Sequence, residues 1–444
     1  MIPVPVAEIA AALGAPAPTD GARAATGLAV DSRCVKPGDV FLARRGEKDD
    51  GRKYVPQALA AGASLVIAED GVPPHPRVVL VRDGIDALQR LAALVRSKYR
   101  GPLVAVGGSA GKTSTKNMLA ALLGADRPVV ASEKSFNNHA GVPMTLCRLE
   151  PDTAAAVVEI GSNHPGEIAP LAALARPDVA VVVAVGEEHL EGFGDLAGVL
   201  REELALVEAL PSGGRAFVNG DDPVLAGATF PAHVRATRCG FSPDCDVRAI
   251  PVTRPDGAPA FRLRPNGPTI AAPAFPFSFA RSNLLLAAVV ARELGVPEEA
   301  IAAAAPALKP SELRGEVRRC RAATVWVDCY NANPLSAGAA LAELARVDGP
   351  RRAVLGDMLE LGAAAAERHE ALGRQAAAAG VGEAVFVGRH GEDFRRGFGS
   401  GALTLRADAA AATDDFRRLT GSPGVVLLKA SRGVGLERVL EVCA

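Results

Sequence analysis

Residues 104–119 read VAVGGSAGKTSTKNML. An apolar run breaks into glycine and is followed at once by helix-forming residues, an order that dictates a strand, a tight loop and a helix. The strand positions are continuously apolar, so both faces must be covered, which is the pattern of a parallel sheet between layers of helices. Runs of the same kind stand at 154–160 and 178–185, and later at 324–327, 352–355, 384–387 and 425–428, with helical stretches between them. The expected fold class is therefore α/β. The first set of runs predicts a central parallel sheet over residues 101–309, and the second a separate doubly wound sheet over 310–444. Residues 1–100 carry short β-like runs at 27–30 and 64–67 and close with an amphipathic helix at 85–99, predicting a smaller α/β unit. Arg100-Gly101-Pro102 and Leu308-Lys309-Pro310 punctuate the chain between these segments, and 444 residues exceed what one core usually organises.

Charge excludes some partners. Lys plus Arg number 49 against 50 Asp plus Glu, a net charge of −1 that draws the chain neither to nucleic acid nor to an anionic membrane, so an anion site has to be local. No apolar run approaches the roughly 20 residues of a membrane span. The N-terminus MIPVPVAEIAAALGAP lacks the basic start and apolar stretch of a signal peptide, and the expected location is the cytoplasm. The seven cysteines are scattered, with no CxxC pair, and read as reduced and mostly buried thiols; the seven histidines show no ligand spacing. A metal held by protein alone is not expected, which leaves magnesium carried by a nucleotide. A monomer is the default.

The loop itself is Gly108-Ser109-Ala110-Gly111-Lys112-Thr113, followed by Ser114. It departs from the strict GxxxxGK[ST] spelling because Val106 stands five residues before Gly111. Its chemistry is nevertheless that of a phosphate cradle: glycines let consecutive N–H groups turn inward, a helix N-terminus adds its positive end, Lys112 supplies a point charge and Thr113 a hydroxyl for magnesium. Kinases, motors, switches and ligases all use such a loop. Other side chains must decide, and several stand at strand ends, where ligands of open α/β sheets bind. Glu159 ends one apolar run and His189 follows the next; with the loop they predict a magnesium site on one edge. Asp328, Asn331 and Asn333 follow the run TVWV, and Lys429, Ser431 and Arg432 follow VVLL. Each cluster alone reads as a solvated turn, while two clusters on one sheet edge predict a substrate-facing surface.

A wider set of segments carries a resemblance. GSAGKTS at 108–114, SFNNHAGVPMTL at 135–146, VVEIGSNHPGEI at 157–168, HLEGFG at 189–194, NGDDP at 219–223, DCYNANPLS at 328–336, GDMLELG at 356–362 and KASRG at 429–433 resemble the Mur ligases, as does AVDSRCVKPGDVFLARRGEKDDG at 29–51. Within that family they are most similar to the members that use ATP and magnesium to join D-alanyl-D-alanine (D-Ala-D-Ala) to UDP-MurNAc-tripeptide. The resemblance implies three domains: an N-terminal one for the UDP-sugar peptide, a central one of P-loop ATPase type, and a C-terminal Rossmann-like one that closes over the site. It implies nucleotide-sugar contacts from Asp31, Ser32, Arg33 and Gly46, ATP contacts from residues 108–114 with Asn219, Asn283 and Arg314, and a reacting cleft lined by Asn137, Asn138 and Thr145. Glu159 and His189 are implied to coordinate magnesium with Thr113, and Lys112 and Asp328 to take part in catalysis. Asn331, Asn333, Lys429, Ser431 and Arg432 are implied to contact substrate.

The chain departs from the family pattern at three places. Gly107 stands where threonine is common, and Phe279-Ala280 where relatives show His-Asn. Glu203 aligns with a lysine that the family converts to a carbamate for magnesium binding, so this glutamate is expected to offer a carboxylate directly; Glu202 beside it leaves the register open. A folylpolyglutamate-type ligase, another Mur ligase and a nucleotide-dependent regulator are the competing functions.

Overall fold

The computed structural model describes residues 1–16, 18, 21–46, 49–254, 259–272, 277–399 and 401–443. Glu47 and Lys48, within the 29–51 segment, lie outside them.

The first segment forms a four-stranded parallel sheet from Gly27–Ala29, Asp39–Ala43, Leu65–Glu69 and Val78–Val81, in chain order. The helix Gly84–Lys98 follows. The Asp83 carboxylate caps it by accepting the Ile85 and Asp86 N–H groups, and Leu88, Leu91, Ala92 and Val95 form its buried stripe. This helix packs against Gly141–Leu146 and Ile168–Ala175. Near its end, buried Arg96 donates to the carbonyls of Ala175 and Arg176, each at 2.7 Å, and thereby fastens the first segment to the next.

The central sheet has seven strands, all parallel, in the order Val247–Arg248, Arg235–Gly240, Arg215–Asn219, Val179–Val182, Leu103–Gly107, Ala155–Glu159 and Val129–Ala131. The helix Phe279–Glu293, buried along most of its length, lies against Lys112–Leu123 on one face. The run predicted at 178–185 is shorter as a strand because its end serves the loop: Val183 N–H binds the Gly107 carbonyl, and the Ala184 carbonyl accepts Ser109 N–H at 2.7 Å. A small antiparallel sheet of Ile250–Thr253, Pro259–Arg262 and Ile270–Ala271 is appended.

The third sheet has six strands in the order Glu316–Cys320, Ala323–Val327, Val425–Lys429, Arg351–Gly356, Glu383–Val387 and Ala402–Arg406. Only the first is antiparallel. The last strand of the chain is inserted beside Ala323–Val327, so the segments after Val327 and Leu428 emerge side by side although a hundred residues separate them in sequence.

The cysteine expectation needs correction. Cys320, closing the edge strand, is disulfide-bonded to Cys443, with Cα atoms 4.9 Å apart. Spacing offered no sign of it because the two lie 123 positions apart in the chain. Cys147, Cys239 and Cys329 are free and buried, Cys245 is half-buried and Cys34 exposed. Among the described residues, no helix is long and apolar enough to cross a membrane.

Candidate active site

The strand Leu103–Gly107 delivers the loop to the sheet's carboxyl edge. Gly108 has φ +122 and a Cβ there would meet the Val183 and Ala184 backbone at 2.9–3.0 Å; Gly111 has φ +82 and a Cβ there would strike Asn283 and Val183 at 2.8 Å. Both positions therefore require glycine. They also seat Asn283, buried on its helix, directly against the loop.

Lys112 folds back so that its ammonium donates to the Gly108 carbonyl, and it lies 3.9 Å from Glu188. Burial works against its charge, yet Glu188, Glu203 and Glu159 hold its pKa above the ordinary value. Glu188 shows the reciprocal effect. Burial pushes its carboxyl up to about 8, opposed by Lys112 and reinforced by Glu203. Burial likewise raises Glu203, against the pull of Lys112 and of the Gly108 N–H, which its carboxylate accepts at 2.6 Å.

The neighbouring glutamates have separate tasks. Glu202 accepts the N–H groups of Gly166 and Ile168 at 2.7 and 2.8 Å, at the start of the helix Ile168–Ala175, while Glu203 faces the phosphate loop. A Cβ at position 107 would lie 3.0 Å from the Glu203 carboxylate and 2.9 Å from Leu206, so the glycine and the glutamate occupy space that a threonine would contest.

Glu159 is buried at the end of its strand, and one carboxylate oxygen accepts the Asn137 side-chain N–H at 3.0 Å. The other is buried without a hydrogen-bond partner. Thr113 lies 3.1 Å from the Ser135 hydroxyl, which accepts from Arg314 at 2.9 Å. Four residues beyond Lys112, Lys116 is also buried; it donates to the carbonyls of Ser132 and Lys134 at 2.5 and 2.8 Å, and burial lowers its pKa to about 8. Two further residues expected in the cleft have partners in the helix that follows. Asn138 accepts the N–H groups of Ala140 and Gly141 at the start of a helix, and Thr145, only 2% exposed, donates to the Gly141 carbonyl within that helix.

Among the described residues, no three His, Cys, Asp or Glu side chains gather closely enough to hold a metal ion by themselves. Magnesium commonly takes one or two carboxylates and relies on phosphates and water for the rest. The buried, unpartnered oxygen of Glu159 fits that mode, and Thr113, the first threonine after the loop lysine, offers a hydroxyl.

The third segment completes the cleft. Asn333 caps the helix Pro334–Leu344 and donates its side-chain amide to the Ser109 carbonyl at 3.2 Å. Lys429 is buried between Asp328, whose carboxylate is 2.9 Å away, and the Asn331 carbonyl, 2.7 Å away. Ser431 donates to the Ala332 carbonyl and accepts from Leu359 N–H, while Arg432 pairs with Glu437 at 2.9 Å. Arg314 lies over the Tyr330 ring at 3.9 Å. A cavity of about 470 Å³ opens between these groups and the phosphate loop, walled by Ser109–Gly111, Asn219, Asn283 and Arg314 on one side and Asp328, Asn331, Asn333 and Lys429 on the other. His189 does not line this cavity but a smaller one that shares Asn331 and Asn333 with it, and its Nδ1 is bound to the carboxylate of Glu360 from the third segment. Burial lowers its pKa, against the pull of Glu360, and favours the neutral ring.

The nucleotide-sugar candidates form a group of their own. Asp31 pairs with Arg33, whose hydrogen bond brings the carboxyl to about 2; Ser32 donates to Gln57 at 3.0 Å, and Gly46 N–H binds the Asp49 carbonyl. They lie on the N-terminal unit and do not line the 470 Å³ cavity.

Sequence reasoning passed over Glu188, Lys116, Ser135 and Glu360. Glu188 adjoins His189, and Lys116 is one helical turn beyond Lys112, so proximity and period were available signals. Glu360 lies in the quoted GDMLELG segment, but its contact with His189 had no local signal because the partner comes from a different sheet.

Family models match almost end to end: Mur ligase family, catalytic domain at residues 24–99; Mur ligase middle domain at 106–291; and Mur ligase, glutamate ligase domain at 313–432. A Mycobacterium tuberculosis protein named UDP-N-acetylmuramoyl-tripeptide–D-alanyl-D-alanine ligase is 36% identical, with 99% of this chain and 98% of that protein covered. The Escherichia coli protein of the same name is 34% identical over 93% and 92%. Among solved structures, MurF from Acinetobacter baumannii superposes with a TM-score of 0.85 at 26% identity, covering 99% and 98% of the two chains. MurF ligase from Thermotoga maritima in complex with ADP gives 0.81 at 29% identity, covering 94% and 97%.

Proposed function

The chain belongs to the Mur ligase family, and from that premise we propose that it joins D-Ala-D-Ala to UDP-MurNAc-tripeptide with cleavage of ATP. The products are UDP-MurNAc-pentapeptide, ADP and phosphate, and the step belongs to peptidoglycan synthesis. The observation that carries this reading is the cavity between the phosphate loop and the strand ends of the third segment, bridged by Asn333 and Ser109. Closure of the third segment over that cavity would shield a phosphorylated carboxylate formed there from water.

Amide formation in water needs an activated acyl group. The γ-phosphoryl of ATP passes to the peptide carboxylate, giving an acyl phosphate; the dipeptide amine attacks the acyl carbon, the C–O bond to phosphate breaks, and the amine loses a proton. Two anions must first approach each other, and Lys112 with the amides of residues 108–113 offsets that repulsion. Bound magnesium would neutralise charge on the transferring phosphoryl, with Thr113, Glu159 and His189 as its protein neighbours and Glu203 as part of the acidic wall behind the loop. Asn283, Arg314 and Asn219 hold the nucleotide, and Asn137 positions Glu159.

We assign residues 1–100 to the UDP-sugar peptide through Asp31, Ser32, Arg33 and Gly46, residues 101–309 to ATP, and residues 310–444 to closure and the amine substrate, with Asp328, Asn331, Asn333, Lys429, Ser431 and Arg432 facing the cleft. The substrates are small molecules, and a cytoplasmic monomer completes the proposal. Phosphate release from ATP and magnesium with UDP-MurNAc-tripeptide, with and without D-Ala-D-Ala, tests it alongside the product mass. Dipeptide-dependent release and a product heavier by one dipeptide less water support the reading; equal release without dipeptide and no mass gain reject it.

A further inference from the structure

His189 and Glu360 meet across the interface between the central and third sheets. Both have positive φ, +47 and +63, in the left-handed region that residues other than glycine seldom adopt. Such conformations persist where the surroundings over-determine them. Around Glu360 they do. Asp357 N–H donates to the Val387 carbonyl at 3.1 Å, Met358 N–H to His369 Nε2 at 2.9 Å and Leu359 N–H to the Ser431 hydroxyl at 3.0 Å. The Glu360 carbonyl then accepts Glu191 N–H from the central segment at 3.2 Å. Three successive amides and one carbonyl are thus pinned, and the left-handed turn throws the carboxylate across the interface onto His189.

The hinge of this arrangement is itself specified. His369 is fully buried, and it accepts from Met358 at Nε2 while Nδ1 contacts the Ala365 carbonyl at 2.6 Å, so Nδ1 carries the hydrogen. One buried imidazole fixes the loop, and the loop fixes the other imidazole.

We propose that Glu360 is a positioning residue for the transfer site, accepting the Nδ1–H of His189 and thereby leaving Nε2 as the nitrogen that faces the cleft. Glu188 lies 3.8 Å from that Nε2. A small cavity of about 110 Å³ adjoins the same atoms, lined by Glu188, His189, Asn333, Glu360 and Arg432. Because Glu360 rides on the third segment, the ring of His189 acquires its tautomer and orientation when that segment closes, which couples closure to readiness for chemistry. The kinetic consequence rests on the ligase reading; the tautomer does not.

The test uses the full chain labelled with 15N-histidine and saturated with ADP in the presence of a magnesium chelator, so that a metal at Nε2 does not itself set the tautomer, the His189 resonances being identified with His189→Gln. The wild type should show His189 protonated at Nδ1. Glu360→Ala should convert it to a mixture or to the Nε2–H form and lower kcat roughly 10- to 100-fold, the usual effect of removing a partner that orients a functional histidine, while KM for ATP changes by less than about twofold. Glu360→Gln retains an oxygen acceptor and should recover most of both readouts. An unchanged tautomer in Glu360→Ala, or Glu360→Gln as impaired as the alanine variant in both, overturns the proposal. If no variant or wild type forms amide product, the function has failed, and the tautomer comparison still decides this point.

Discussion

The side-chain amide of Asn333 donates to the carbonyl of Ser109 at 3.2 Å while its oxygen accepts the Ser336 N–H at 2.9 Å. One residue both starts a helix of the third segment and reaches the phosphate loop of the central one. Asn333→Asp separates the two roles, since aspartate caps helices as well as asparagine but has no N–H to donate. It should show a raised KM for ATP, with a loss of stability set by the buried carboxylate that then faces the Ser109 carbonyl and not by the cap. Asn333→Ala should lose about 1 kcal/mol of stability as well. Chemical denaturation and steady-state kinetics on the pair check both expectations.

Gly107 and Glu203 form a matched pair, because a Cβ at 107 would sit 3.0 Å from the Glu203 carboxylate. Gly107→Thr should cost about 1–3 kcal/mol through overpacking. Part of that cost should vanish in the Gly107→Thr, Glu203→Ala double variant, giving a coupling of about 0.5 kcal/mol or more in a double-mutant cycle. Glu203→Ala alone should raise the magnesium concentration needed for half-maximal activity. An unaltered magnesium dependence would remove Glu203 from the metal's surroundings.

Lys116 predicts a pH effect of definite sign. Its pKa falls from 10.5 to about 8 on folding, so between those values the unfolded chain binds more protons and stability rises with pH. Below about 8 both states are charged and the folded protein bears the whole desolvation cost, of order 3 kcal/mol from 1.36 kcal/mol per pKa unit. The stability difference between wild type and Lys116→Met, measured from pH 7 to 10.5, should therefore shift in favour of the wild type as pH increases. A flat difference would show that the ammonium is not desolvated.

The Cys320–Cys443 bridge spans 123 residues. On the chain-entropy model such a loop contributes up to ~5 kcal/mol, with strain and residual structure in the unfolded chain reducing it. A thiol reductant should lower the melting temperature of the oxidised wild type and leave Cys443→Ser unaffected. Equal sensitivity in both would place the effect elsewhere.

Legibility in the sequence followed the physics of each element. Leu103–Gly107, Ala155–Glu159 and Val425–Lys429 could be read because buried parallel strands need unbroken apolar runs. Glu316–Cys320, EVRRC, could not, since on this edge strand Val317 is exposed while Glu316 and Arg318 are half-buried, so no apolar face shows in the sequence. In the site, Lys112 was legible from the glycine loop it closes, and Glu159 and Asp328 from their place at strand ends. Motif membership did not show local partners: Asn138 and Thr145, in the family-like segment 135–146, also bond at a helix start and within that helix. Glu360 stood in the quoted GDMLELG segment, yet its contact with His189 was illegible because it joins two segments far apart in sequence, and the glutamate pair at 202–203 resolved only when each carboxylate's partners were known.

Phosphoryl transfer to the peptide is tested most directly by the fate of oxygen. UDP-MurNAc-tripeptide labelled with 18O in its reacting carboxylate is turned over with unlabelled ATP, magnesium and D-Ala-D-Ala, and the released phosphate is weighed by mass spectrometry. Transfer of the γ-phosphoryl to the carboxylate predicts one 18O in each phosphate formed with amide. Phosphate free of 18O, released at the rate of amide formation, would contradict an acyl phosphate and, with it, the function of the phosphate loop in activating the carboxylate.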